Sequence, residues 1–169
     1  NPSLECIPGT VCYLPARTLG ASDFGERPSV RSTAPRVVVV GRLWGRGLLK
    51  GQRQLISIWP RVREIVPDAE LWIVGEGDGR RDFEALAAAL RVAECIHFTG
   101  HVSDAELSAI YRESSIFAMP SRGEGFGLVF AEAMAHGLPC GASRADAGSE
   151  VVVDGETGFH VDPDDEAEL

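Results

Sequence analysis

Side chains that can bind an anion lie in a glycine-rich segment, GRLWGRGLLKG, that begins at Gly41. Arg42 can hold a phosphate through two parallel hydrogen bonds, and Lys50, the only lysine of the chain, is a compact positive charge. A helical pattern starts at Lys50, and a cation at a helix N-terminus opposes the helix dipole. A bound anion removes this cost, so Lys50 favours a ligand over the alternative of a solvated basic turn.

A second segment of the same kind, SRGEGFGL, covers residues 121–128. Its glycines let a ligand approach the backbone closely, and the N–H groups of residues 126–129 would point from the start of a helix at a phosphate or sugar oxygen. Glu124 precedes this helix and Glu132 lies within it, and their different heights suit two hydroxyl-bearing parts of one extended ligand. The alternative is local: Glu124 caps the helix and Glu132 is a partly buried ion-pair partner.

Strand and helix patterns alternate around both segments. The predicted strands cover residues 36–40, 69–75, 95–100, 115–121, 138–143 and 158–162, and the predicted helices cover residues 50–66, 79–93, 103–114 and 127–137. Such an alternation implies right-handed crossovers and a parallel sheet that helices cover on both faces, so we predict an α/β fold of the Rossmann-like type. Ligands bind such sheets beyond the carboxyl ends of the strands, where both glycine-rich segments lie.

Two features bound the predicted domain. Residues 1–35 hold five of the ten prolines and show no sustained periodicity, which is typical of a linker, so the regular domain is expected to cover residues 36–169. The chain stops where a further helix pattern begins, which predicts that the domain is truncated at its C-terminus. Within the domain, Pro60 is expected to kink the first helix or split it in two, and Ser103 is expected to open the third helix with a capping box.

The bulk composition excludes several classes of protein. The net charge of -9, from 16 basic and 25 acidic residues, argues against binding of nucleic acid or of an anionic membrane. No apolar run reaches the roughly 18 residues of a membrane span, and the N-terminal residues lack the pattern of a signal peptide. The four cysteines lack the spacing of a zinc site or a disulfide framework, and Cys140 is predicted to be a core residue. A soluble cytoplasmic protein is the expectation.

A third glycine-rich segment, GEGDG at residues 75–79, follows the second predicted strand. It is similar to the fingerprint of dinucleotide-binding proteins, in which three glycines bring the backbone close to a pyrophosphate. Arg80 occupies the position that needs the third glycine, so the segment does not predict a dinucleotide site.

Five segments resemble, in the same order, the C-terminal domain of the group 1 retaining glycosyltransferases, which are family 4 of the GT-B fold. They are GRLWGRGLLKG, ELWIVGEGDGRRDFEAL, IHFTGHVSDAELSAIY, AMPSRGEGFGLVFAEAMAHGLPC and EVVVDGETGFHVDPDD. The resemblance covers about residues 36–169, and its most specific element is the pair of glutamates, Glu124 and Glu132, with seven residues between them. It implies a single Rossmann-like C-terminal domain that binds a nucleotide-diphosphate sugar, the donor, while an N-terminal domain absent from this chain binds the acceptor.

The resemblance also implies a role for each residue that matches the family's pattern. Arg42 and Lys50 correspond to the basic pair on the donor diphosphate. Glu124 corresponds to the carboxylate that faces the transferred sugar, and Glu132 to the carboxylate that holds the ribose. Arg42, Lys50 and Glu124 are thus the implied catalytic residues. The further implied donor-binding residues are Gly41, Val102, Gly125, Phe126, Gly127, Leu128 and Val129.

The implied reaction transfers the sugar to an acceptor hydroxyl with retention of anomeric configuration. Departure of the nucleoside diphosphate builds up negative charge, which fixed cations and a helix dipole stabilise without a divalent metal, so no metal site or cofactor is expected. The acceptor would be a glycan, a lipid or a small molecule, and any peripheral membrane association would come from the missing domain. This chain alone is expected to bind nucleotide with little or no turnover.

Two alternatives stay open at this point. A non-catalytic module would keep the fold and bind nucleotide sugars without transferring them, although the intact set of Arg42, Lys50, Glu124 and Glu132 argues against loss of activity. A phosphorylase-like protein would instead use Lys50 as the Schiff base of pyridoxal phosphate, and the absorbance of that cofactor would reveal it.

Overall fold

A parallel sheet forms the centre of the computed structural model, which describes residues 34–45 and 50–169. Its strands are β1 (Arg36–Val40), β2 (Glu70–Val74), β3 (Ile96–Gly100), β4 (Ile116–Met119), β5 (Cys140–Ser143) and β6 (Gly158–Val161). The helices around it are α1 (Gln52–Ile65), α2 (Arg80–Ala89), α3 (Asp104–Glu113), α4 (Leu128–Ala135) and α5 (Gly148–Val151), with a 3-10 turn at Ala93–Cys95. The prediction of a linker at residues 1–35 falls almost entirely outside the described residues.

The order of the strands in the sheet is β3-β2-β1-β4-β5-β6, and all neighbouring pairs are parallel. This is the order of doubly wound Rossmann-like sheets, in which the chain starts in the middle and builds outward in both directions. The predicted α/β fold is therefore confirmed. Because the direction of building reverses between β1 and β4, the segments that follow these two strands leave the sheet side by side.

A run of four valines explains why β1 forms at the centre of the sheet. β-branched side chains favour extended backbone, and Val38 and Val39 are fully buried. Burial of successive residues, which point to opposite faces, is typical of a parallel sheet covered on both sides. The largest fully buried side chains around the sheet are Trp59, Tyr111, Phe83, Phe117 and Phe130. Each such side chain stabilises the fold by about 1.5–3 kcal/mol.

Pro60 lies inside α1, which is one helix and not two. The alternative of a split helix is therefore wrong. A proline in a helix interior costs about 3 kcal/mol. Leu55, Ile56 and Trp59 next to it are buried, and each contributes about 1.5–3 kcal/mol by leaving water. Burial of this apolar face outweighs the lost backbone hydrogen bond and keeps the helix continuous.

The predicted capping box opens α3. The Ser103 hydroxyl accepts a hydrogen bond from the backbone N–H of Glu106 at 3.3 Å, and the Glu106 carboxylate accepts one from the Ser103 N–H at 2.7 Å. The bonds from Ser103 hold the pKa of the Glu106 carboxyl below its usual value. Local hydrogen bonds therefore decide where this helix begins, and residues three apart in the sequence are enough to predict it.

The helices in the described part of the chain are short. The longest is α1, with 14 residues, and none is both long and apolar enough to cross a membrane. α5 is a single turn of four residues, which the hydrophobic periodicity does not predict because a period needs a longer run. Downstream of β6, the N–H groups of Glu168 and Leu169 donate to the carbonyl oxygen of Asp165, so one helical turn forms where the sequence pattern places a helix start.

Candidate functional site

The glycine-rich segments after β1 and β4 meet at the carboxyl edge of the sheet. Gly51, the N-cap of α1, has a φ of 78°, a conformation that favours glycine. A Cβ atom on Gly51 would lie 2.6 Å from the carbonyl oxygen of Pro120, which precedes the second segment. Glycine is therefore required for the two segments to approach each other this closely, and they converge as their place in the sheet predicts.

An ion pair joins the two segments at this point. Lys50 Nζ lies 2.7 Å from Glu124 Oε2, and both side chains are mostly buried, with 22% and 13% of their surfaces exposed. Gly41 lies directly behind the lysine, since a Cβ on Gly41 would come within 3.1 Å of Lys50 Cγ. The alternative of a solvated basic turn at Lys50 is therefore wrong. The structure brings together a cation and a carboxylate that the sequence places 74 residues apart.

Glu124 also binds the backbone at the start of α4. Its Oε1 accepts hydrogen bonds from the N–H groups of Phe126 at 3.2 Å and Gly127 at 3.0 Å. Burial raises the pKa of the Glu124 carboxyl, but the bonds from Lys50, Gly127 and Phe126 outweigh burial and leave the pKa below its usual value. The carboxylate is thus charged at neutral pH.

Two donors that are expected to face a ligand therefore already have an acceptor within the chain. The N–H groups of Phe126 and Gly127 point at Glu124, as the local alternative of a capping carboxylate predicts for this residue. A carboxylate at a helix N-terminus also interacts favourably with the helix dipole. A ligand that takes up these N–H groups must compete with Glu124, whereas the prediction for the N–H groups of Leu128 and Val129 is unaffected by this contact.

Arg42 lies on the exposed side of the first segment. Its guanidinium stacks on the ring of Trp44, 4.3 Å from the ring centroid, and its carbonyl oxygen accepts a hydrogen bond from the buried Gln52 side chain at 3.4 Å. Arg122 of the second segment instead pairs with the carboxylate of Asp164. A stacked arginine keeps its hydrogen-bond donors directed outward, so Arg42 can act as a phosphate ligand.

The third glycine-rich segment, GEGDG, supports the backbone of Arg42. Leu43 donates its N–H to the Glu76 carbonyl oxygen and accepts a hydrogen bond from the Gly79 N–H, so the two segments run side by side. A Cβ on Gly77 would lie 1.9 Å from the Leu43 carbonyl oxygen, and one on Gly79 would lie 2.7 Å from the Gly45 nitrogen. The glycines of this segment therefore allow close backbone packing, which gives them a structural role instead of a dinucleotide site.

The remaining predicted residues lie after β3, in the second glycine-rich segment and on α4. Val102, after β3, is half-buried and packs against the core. Phe126 and Leu128 are exposed at the start of α4, and a Cβ on Gly125 would meet nothing within 4 Å. Glu132 lies further along α4, where its negative charge adds to the effect of burial in raising the pKa of Tyr111 on α3. Within the predicted set, Lys50 and Glu124 form an ion pair, and Glu124 also accepts hydrogen bonds from the N–H groups of Phe126 and Gly127.

Asp146, which follows β5, is a residue of this edge that motif and spacing do not single out. Its Oδ2 accepts hydrogen bonds from the Ser121 hydroxyl at 2.5 Å and from the N–H groups of Gly123 at 3.3 Å and Glu124 at 3.1 Å. Its Oδ1 accepts one from the Gly148 N–H at 3.0 Å. The one sequence signal for it is an acidic residue just beyond a predicted strand, at the same edge as the two glycine-rich segments.

Cys140 is buried in β5, as predicted for a core residue. Burial raises the pKa of its thiol to about 12, so the thiolate that a nucleophile requires is scarce at neutral pH. Among residues 34–45 and 50–169, no three or more His, Cys, Asp or Glu side chains are grouped so that they would hold a metal ion.

Comparison with known proteins shows which family the chain is similar to. Residues 34–169 match the family of the group 1 glycosyl transferases. The GDP-mannose-dependent alpha-(1-6)-phosphatidylinositol monomannoside mannosyltransferase of Mycolicibacterium smegmatis is 41% identical over 138 residues, which are 78% of this chain and 35% of that protein. The chain therefore spans about a third of the length of this relative.

Two solved structures share the fold. The C-terminal domain of the group 1 glycosyl transferase LpcC from Francisella tularensis is 25% identical, with a TM-score of 0.68 over 86% of this chain and 75% of that chain. HepE of Anabaena, solved in complex with UDP and glucose, is 26% identical, with a TM-score of 0.71 over 80% of this chain and 36% of that chain. The chain belongs to the group 1 glycosyl transferases, and its described residues have the fold of their C-terminal domain.

Proposed function

We propose that the chain is the donor-binding domain of a retaining hexosyltransferase, which binds a nucleotide-diphosphate sugar and transfers the sugar to an acceptor hydroxyl. Lys50 and Arg42 bind the diphosphate, Glu124 binds hydroxyls of the sugar, and Glu132 binds the ribose. The observation that carries the proposal is the contact of Lys50 Nζ with Glu124 at 2.7 Å, at the point where the strand order reverses. Parallel α/β sheets bind nucleotides at this place.

The proposed chemistry follows from the charges at this edge. When the bond between sugar and phosphate breaks, the leaving diphosphate gains negative charge, and Lys50, Arg42 and the N-terminal end of α4 stabilise that charge. Donors held in place before the reaction cost no reorganisation when it occurs. With retention, the acceptor hydroxyl attacks from the face that the phosphate leaves and gives its proton to the leaving phosphate oxygen, so both groups lie on the Lys50 side of the sugar.

The names of similar proteins support a nucleotide sugar as the ligand. The mycobacterial relative is called GDP-mannose-dependent, and the HepE structure contains UDP and glucose. We propose that the acceptor, which is a glycan, a lipid or a small molecule, binds an N-terminal domain outside residues 34–169. Since the donor site lies within residues 34–169, we expect the chain alone to bind nucleotide without appreciable turnover.

Calorimetric titration of the chain with UDP, GDP and ADP tests the proposal. We expect saturable binding of one of the three, with weaker binding of the corresponding nucleoside monophosphate because it offers one phosphate to Lys50 and Arg42. If none of the three diphosphates shows saturable binding at millimolar concentration, the proposal is wrong.

Replacing Glu124 by glutamine is expected to strengthen binding of the nucleoside diphosphate about threefold. The amide keeps the shape of the side chain but removes the negative charge that competes with the diphosphate for Lys50. Exposed ion pairs are worth about 0.2–1 kcal/mol, and threefold lies within that range, so it is a modest expectation for a pair that is mostly buried. The same change is expected to lower affinity for the nucleotide sugar relative to affinity for the diphosphate, because the sugar hydroxyls no longer bind a carboxylate at position 124.

The control for this change is Glu84→Gln on α2. Glu84 also forms an ion pair at 2.7 Å, with Arg80, but lies outside the proposed site. Its replacement is expected to leave both affinities unchanged. Weaker diphosphate binding by Glu124→Gln in a folded protein would contradict the proposed competition for Lys50.

A further inference from the structure

We propose that Asp146 is a positioning residue, which orients Glu124 toward Lys50 by accepting hydrogen bonds from the backbone N–H groups of Gly123 and Glu124. The inference deepens the proposed function, because it names the residue that keeps the sugar-binding carboxylate in place. It rests on hydrogen bonds from the loop after β5 to the loop after β4, and these strands are neighbours in the sheet.

The backbone of Glu124 is held at both of its polar groups. Its N–H donates to Asp146 Oδ2 at 3.1 Å, and its carbonyl oxygen accepts a hydrogen bond from the N–H of Ala147 at 3.4 Å. Both partners lie in the two residues that precede α5. Because the N–H and the carbonyl oxygen of Glu124 are both bound to one neighbouring loop, the direction in which its side chain leaves the backbone is fixed.

The same carboxylate also binds the residues before Glu124. Ser121 is fully buried, and its hydroxyl donates to Asp146 Oδ2 at 2.5 Å. The Gly123 N–H donates to the same oxygen at 3.3 Å, and Asp146 Oδ1 accepts from Gly148 at 3.0 Å. A carboxylate offers two acceptor oxygens, Oδ2 to three of these donors and Oδ1 to the fourth, whereas a serine or asparagine in its place has one acceptor oxygen and would leave at least one donor without an acceptor.

Electrostatics indicate that this acidic residue acts through its hydrogen-bond geometry and not through its charge. The chain carries a net charge of -9, and the proposed ligand is an anion, so a further carboxylate at this edge weakens binding by repulsion. The charge of Asp146 is held by hydrogen-bond donors of the loop and not by a cation among the described contacts. The loop after β4, which Asp146 binds, carries Glu124, and the side chain of Glu124 contacts Lys50.

The single lysine of the chain allows a direct test. Labelling with [13Cε]lysine produces one resonance, that of Lys50, whose chemical shift reports on the contact with Glu124. Glu124→Gln supplies the reference for a lysine without its carboxylate. We expect Asp146→Ala to move the Lys50 signal at least half of the way toward this reference, and Asp146→Asn to move it less, because one amide oxygen cannot accept all four hydrogen bonds.

Ser114→Ala is the matched control for a purely structural effect. Ser114 is fully buried and donates to the Ile110 carbonyl oxygen, so its loss lowers stability without touching the site. We expect a lower Tm and an unchanged Lys50 signal. If Asp146→Ala fails to fold, Asp146→Asn carries the test. A wild-type Lys50 signal in the folded Asp146 variants would overturn the inference.

Binding supplies the second readout and separates the inference from the proposed function. Asp146→Ala is expected to lower affinity for the nucleotide sugar by a factor about ten times larger than the factor for the nucleoside diphosphate. The nucleotide sugars used as probes are UDP-glucose, GDP-mannose and ADP-glucose. Equal effects on both ligands would overturn the inference. If the wild-type chain binds no nucleotide, the proposed function fails, whereas the NMR result still decides whether Asp146 orients Glu124.

Discussion

Lys50→Ala is expected to lower sugar transfer by the intact enzyme by about 10²-fold or more, and Arg42→Ala by a similar factor. Each removes one fixed positive charge from the diphosphate that leaves in the transition state, and loss of one such charge-stabilising donor has an effect of this size. Lys50 is mostly buried, where a charge acts more strongly than in water. Steady-state rates with a saturating donor measure the effect.

A matched control separates this effect from a general loss of positive charge. Arg81 on α2 is exposed, and Arg81→Ala is expected to leave the rate near that of the wild type. The effect of Lys50→Ala should appear in kcat as well as in kcat/KM, because the interaction strengthens as charge develops on the leaving group. Near-normal rates for both Lys50→Ala and Arg42→Ala would refute the proposed roles of these residues.

Gly77→Ala is expected to destabilise the fold by about 3 kcal/mol, the upper part of the range for overpacking. The new Cβ would lie 1.9 Å from the carbonyl oxygen of Leu43 and 2.6 Å from its carbon, so backbone must move away from backbone. Leu43 is fully buried and hydrogen-bonds on both sides to the GEGDG segment. The movement therefore disrupts buried packing as well as backbone hydrogen bonds.

Thermal and urea unfolding measure this loss against Gly125→Ala. For a chain of this length, about 3 kcal/mol corresponds to a fall in Tm of about 10 °C. Gly125 lies in the second glycine-rich segment, where an added Cβ meets nothing within 4 Å, so its replacement should change stability by less than about 0.5 kcal/mol. Equal Tm values for the two variants would show that the GEGDG segment does not pack against Leu43 as described.

Local patterns were sufficient for most of the fold. The valine run of β1 and the capping box of α3 act within a few residues, so they can be identified without knowing the rest of the chain. The single-turn α5 could not be predicted from the sequence, because four residues are too few to show a helical period. Pro60 shows the opposite limit: a local signal for a break is overruled by buried neighbours whose packing partners lie elsewhere in the chain.

The glycines of GEGDG illustrate how one residue type can have two different structural roles. Glycine permits close approach to a ligand or close approach to another backbone, and the sequence does not distinguish them. The packing partner of Gly77 is Leu43, from a segment that follows a different strand. The motif alone therefore excludes a dinucleotide site, while the contact with the Arg42 segment explains why the glycines are present.

The sequence by itself determined the alternation of strands and helices, and with it the edge of the sheet at which the segments that carry Lys50 and Glu124 lie. It could do so because the carboxyl ends of parallel strands all lie at one edge. Only the tertiary structure decided which groups meet there: Lys50 with Glu124 across 74 residues, and Asp146 with Glu124 across 22. The physical reason is that a hydrogen bond depends on distances of about 3 Å, which a pattern of residue types does not specify.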